Sequence, residues 1–73
     1  MKRGDFVTTG DGIVNEVFEG PSEDGILTIH ASTWRVAMPA RRFRLATLEE
    51  IERAHHFGEL FTAKTTKYPN WEA

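Results

Sequence analysis

Gly4-Asp5-Phe6-Val7-Thr8-Thr9-Gly10-Asp11-Gly12-Ile13-Val14-Asn15-Glu16-Val17-Phe18 is the stretch that decides the fold class. Phe6 to Thr8 and Ile13 to Phe18 are rich in β-branched and aromatic residues, which suit a pleated, half-buried strand. Between them, Gly10-Asp11-Gly12 supplies the positive φ angles of a tight turn. The spacing predicts a β-hairpin. Downstream, Gly20-Pro21-Ser22-Glu23-Asp24-Gly25 is a dense cluster of turn formers that ends the second strand. Ile26 to His30 and Thr33 to Met38 read as two more strands, and Pro39 closes the latter because it has no N–H to donate. A fifth short strand is expected from about Arg42 to Ala46. Five short strands with glycine turns predict a small antiparallel barrel or a strongly curved sheet.

The pattern then changes. Thr47-Leu48-Glu49-Glu50 is a capping box, in which the Thr47 hydroxyl accepts from the Glu50 N–H while the Glu50 carboxylate reaches back to Thr47. Leu48, Ile51 and Ala54 recur at helical spacing, acidic residues fill the first turn, and Gly58 suits the C-terminal cap. A helix from Leu48 to about Phe57 follows, with Leu60 and Phe61 extending it or packing beside it. Residues 1–61 are thus expected to form one small, mainly β domain of α+β class. Residues 62–73, polar and interrupted by Pro69, are expected to be a flexible tail in which Tyr68 and Trp71 are the aromatic elements.

The chain has 73 residues, 40% hydrophobic and 27% charged, with no cysteine. Disulfides and thiolate metal sites are excluded, and a single apolar core of this size rarely supplies more than about 3 to 5 kcal/mol. No apolar run has the length of a signal sequence or a membrane span, so a cytoplasmic protein without a membrane role is expected. The net charge of −2 argues against nucleic acid as the main partner.

Strand alternation sorts the side chains that remain. With Trp34, Val36 and Met38 inward, Arg35 faces out; with Phe43 and Leu45 inward, Arg42 and Arg44 face out. If these strands are neighbours, Arg35, Arg42 and Arg44, with Arg41 in the adjoining turn, form a basic patch able to grip carboxylates or phosphates. The competing reading is a solvated face that discourages edge-to-edge aggregation. Placing Val7, Val14 and Val17 inward turns Phe6 outward and leaves Phe18 as a second candidate contact, unless the helix covers them. His55 and His56 project about 100° apart on a helix and cannot share one ion, so no metal or cofactor is expected. No Ser, Thr or His set has the spacing of a nucleophile with its base, and no enzymatic reaction is expected.

The hairpin residues Gly4-Asp5-Phe6-Val7 and Gly10-Asp11-Gly12-Ile13-Val14 resemble the first hairpin of SH3-like barrels of the KOW, Tudor and RNA-polymerase-interacting types. The chain as a whole, from MKRGDFVTTGDG to KYPNWEA, resembles small bacteriophage transcription regulators and antiterminators. That resemblance implies binding to the large subunits of the host's bacterial RNA polymerase. It also implies inhibition of initiation by interference with sigma-factor engagement, antitermination during elongation, and the cytoplasm of an infected bacterium as the place of action. A monomer is expected. The alternative is an SH3-like RNA- or DNA-binding module that uses the same arginines on phosphates.

Overall fold

A computed structural model of the protein describes residues 1–66. The expected mainly β fold with one helix is what the chain adopts. Strands β1 (Phe6–Thr8), β2 (Val14–Glu19), β3 (Ile26–Ala31) and β4 (Trp34–Pro39) form an antiparallel meander. A 3-10 turn, Ala40–Arg42, leads to β5 (Arg44–Leu45), then α1 (Leu48–Phe57) and β6 (Leu60–Phe61). The sheet order is β4-β3-β2-β1-β5, with β6 beside β2. This order is compatible with the SH3-like barrel suggested by the opening hairpin.

The turns form where the chemistry requires. Between β1 and β2, Gly10 and Gly12 sit at φ 96° and 94°. The Thr8 hydroxyl donates to Ile13 O and accepts from Gly10 N–H, while Asp11 Oδ1 accepts from Ile13 N–H at 3.0 Å. The β3–β4 connection is tighter than expected. Ala31 pairs with Trp34, so Thr33 belongs to a two-residue turn in which Ser32 takes φ 56°, the left-handed geometry such hairpins need.

A bulge shapes the sheet. The β2–β3 register shifts between Val17 and Glu19, which bends β2 so that it belongs to both halves of the curled sheet. Val7, Val17, Leu27, Ile29 and Phe43 form the buried core inside the curl, with Val36, Met38 and Ala40 packed against it. Val14 is equally buried but lies outside that cluster, on the other face of β2, the strand against which α1 and β6 pack. Both valines are buried as expected, on opposite sides of one strand.

The helix matches its sequence signals at both ends. Thr47 and Glu50 complete the capping box, and Gly58 at φ 74° donates to the last turn. Its apolar stripe is thin, however: Ala54 is buried, Ile51 is half-buried and Leu48 is 71% exposed. Four sequence expectations need correction. Leu60 and Phe61 neither extend the helix nor merely pack beside it; they form a parallel strand on β2, Val14 opposite Leu60 and Asn15 opposite Phe61. Leu45 is 57% exposed because β5 ends one residue after Arg44 at the margin of the sheet. Arg42 lies in the 3-10 turn and not in β5. Residues 62–66, expected as the start of a flexible tail, form a turn in which Ala63 N–H donates to Glu16 Oε1 at 2.8 Å and Thr62 O accepts from Thr65 and Thr66. Tyr68, Trp71 and the rest of 67–73 lie outside the described residues.

Candidate functional site

At one end of the curled sheet the core does not close over. Ile29, Val36, Met38 and Phe43 floor an open groove of about 350 Å³, with Ile13 and Phe61 at its sides. The β1–β2 turn contributes Asp11 to its lining, and the β3–β4 hairpin contributes Ser32 and Trp34. Trp34 was expected in the core. Instead it stands at the first residue of β4, among the residues that line the groove, and is 45% exposed. Asn15 is buried at the inner wall, where its Nδ2 donates to His30 O at 2.8 Å and ties β2 to β3 beyond the last paired residues of their ladder.

A second cluster occupies the outer face of the same strands. Phe18 sits at the bulge with the Arg3 guanidinium 4.5 Å and the Arg35 guanidinium 4.1 Å from its ring centroid, and His30 meets it edge-on at 5.5 Å. Arg3 also donates from Nε to Phe18 O at 2.8 Å. Each stacked cation contributes on the order of 0.5–1 kcal/mol at a partly exposed site. His30 is buried, and its Nδ1 shares a hydrogen bond with Thr66 Oγ1, which docks the 62–66 turn on this face. Burial pushes the His30 imidazole below its ordinary value; Glu16 opposes the shift, and Arg35 and Arg3 reinforce it. The unfolded chain therefore binds this proton more readily. Stability supplied by neutral His30 is complete above pH 6.5 and declines as the pH falls below that value. Thermal melting is expected to show a lower Tm at pH 5.5 than at pH 7.5, and His30→Gln is expected to flatten that difference.

The expected arginine patch is not assembled. β4 and β5 lie at opposite ends of the sheet order, so Arg35 stacks on Phe18 while Arg41 and Arg42 project from the 3-10 turn into solvent. Arg44 is committed elsewhere, its Nη1 and Nη2 each 2.7 Å from a carboxylate oxygen of Glu50. Phe6 is half-buried on β1, with Glu16, two residues before Phe18, as its cross-strand partner. Arg44, then the Thr47 N–H, pull the Glu50 carboxyl down to about 2. Its stabilising contribution is present above pH 4.5 and is lost as the pH falls toward 2. In an NMR carboxyl titration, Arg44→Ala is expected to move the Glu50 midpoint up toward the ordinary glutamate range.

Arg3, Asp11 and the 62–66 turn are the elements that strand alternation could not find. Arg3 precedes the first strand, Asp11 reads as a turn residue, and the turn carries no periodicity. No family model, curated protein or solved structure matches this chain. Among the described residues no group of three or more His, Asp or Glu is arranged to hold a metal ion, and no helix is long and apolar enough to cross a membrane. Among the described residues, the groove offers an apolar recess lined by Trp34, with Asp11 as its carboxylate.

Proposed function

We propose that this chain is a phage-type regulator that binds the large subunits of bacterial RNA polymerase through protein contacts. It inhibits initiation by interfering with sigma-factor engagement and promotes antitermination during elongation. The resemblance of the whole sequence to such regulators supplies the partner. The groove floored by Ile29, Val36, Met38 and Phe43 is the observation that carries a protein-binding role, because apolar side chains in a recess favour an apolar counterpart. The nucleic-acid alternative needs several cations on one face. Arg44 held by Glu50 and Arg35 stacked on Phe18 speak against it.

Order-of-addition transcription with purified bacterial polymerase tests this reading. Added to core enzyme before sigma, the protein is expected to reduce run-off product from a sigma-dependent promoter; added to halted elongation complexes, it is expected to raise the fraction of transcripts that pass a terminator. Equal product with and without the protein in both arms would remove the regulatory role.

A further inference from the structure

We infer that the 62–66 turn is a pH-operated latch, docked on the outer face of β2 and β3 while His30 is neutral and released when His30 takes a proton. Release uncovers the His30 ring and frees residues 62–66, whereas β6 stays paired with β2.

The turn holds itself together. Thr65 N–H and Thr66 N–H donate to Thr62 O at 3.0 and 3.2 Å, and Lys64 N–H donates to Thr62 Oγ1 at 3.1 Å, so it can move as one piece. Among the described residues, two hydrogen bonds that involve side chains tie that piece to the sheet: Ala63 N–H to Glu16 Oε1 at 2.8 Å, and Thr66 Oγ1 with His30 Nδ1. Both ties end on groups that a proton at His30 disturbs. Arg3 and Arg35 stand over the Phe18 ring that His30 meets edge-on, so an imidazolium there is a third cation in one cluster, on a side chain that is itself buried. Glu16 is the carboxylate that acts on the ring from β2, and it already accepts from Ala63 N–H; a charged His30 competes for it. Lys64, the turn's own charged residue, is exposed. The hydrogen bond to Thr66 gives the same sign. The Thr66 hydroxyl lies 3.3 Å from Thr62 O. If it donates there, Nδ1 is the donor to Thr66 and the proton enters at Nε2, leaving the bond beside an unfavourable charge. If it donates to Nδ1 instead, protonation of that nitrogen breaks the bond. Burial holds the His30 imidazole below its ordinary value, so docking is complete above pH 6.5 and weakens as the pH falls below it. A surface turn with few ties opens at far lower cost than the core strands.

Amide nitrogen relaxation on the intact protein tests the latch, with the His30 midpoint read from its own ring signals. No partner is involved, so the outcome is independent of the polymerase reading. Well above that midpoint, backbone order parameters at residues 63–66 are expected at about 0.85; well below it they are expected to drop under about 0.6 while Val7, Val17 and Ile29 keep the higher value. His30→Gln retains a hydrogen-bonding side chain that does not titrate, and its turn is expected to show the same order at both pH values. Thr66→Val removes one tie without touching the buried ring; its turn is expected to be mobile at both, which supplies the decisive reading should His30→Gln fail to fold. Order at 63–66 that is unchanged across the His30 midpoint, a drop of equal size in folded His30→Gln, a Thr66→Val turn as rigid as the parent's, or simultaneous loss of order at Val7 and Val17 each overturns the latch.

Discussion

Leu27→Ala is expected to leave the protein largely unfolded at 37 °C. Leu27 is fully buried on β3 at the centre of the core cluster, and truncating a buried leucine costs about 2 to 5 kcal/mol through lost transfer energy and the cavity left behind. A core of this size supplies only about 3 to 5 kcal/mol in total. A loss of about 3 kcal/mol therefore removes most of the folding free energy. Urea denaturation is the direct measurement: the midpoint should fall close to zero denaturant. A midpoint within a few tenths molar of the parent would mean that the stability of this domain resides outside the curl of the sheet.

The second large effect is expected at Asn15. Its amide donates to the His30 carbonyl across the gap that β6 opens between β2 and β3, and Asn15 itself is buried. Asn15→Ala leaves the carbonyl of the buried His30 short of that partner, at a cost of about 1 to 3 kcal/mol. For a domain of this size the Tm is expected to fall by about 10 °C. Amide hydrogen exchange locates the damage: protection should be lost first at His30 and its cross-strand partner Arg35, and last at Val7 and Val17. Uniform loss of protection would mean that Asn15 acts through global stability and not as a local tie.

These two positions differ in how legible they were in the sequence. Leu27 lies in the stretch Ile26 to His30 that reads as a strand, where alternation pairs it with Ile29 on one face, and the sheet turns that face into the core. The helix was equally legible, because Thr47, Glu50 and Gly58 signal through local hydrogen bonds that need no tertiary partner. Asn15 reads as an ordinary polar strand residue. Its role depends on β6, a two-residue parallel strand too short to have a period and paired with residues more than forty positions earlier in the chain.

The same limit explains the arginines. Alternation assigned Arg35 and Arg44 correctly to the outside of their strands, but the sheet order decides whether two outward residues are neighbours. After the 3-10 turn the chain pairs β5 with β1 and not with β4, which puts β4 and β5 at opposite ends of the sheet order, and that long-range pairing has no local sequence signature. Arg44 meets Glu50 six residues on, across a strand-to-helix joint, a spacing that no single-element pattern would flag. Trp34 was misplaced for a related reason. A strand's first residue is at the mouth of a curled sheet, where an inward direction leads to a groove instead of a core.

Binding to RNA polymerase by protein contact is tested most directly by a pull-down of the tagged protein from nuclease-treated bacterial lysate, with retained subunits identified by mass spectrometry. Recovery of the large polymerase subunits in amounts unchanged by nuclease is the predicted result. Absence of those subunits, or their recovery only when nucleic acid is left intact, would contradict it.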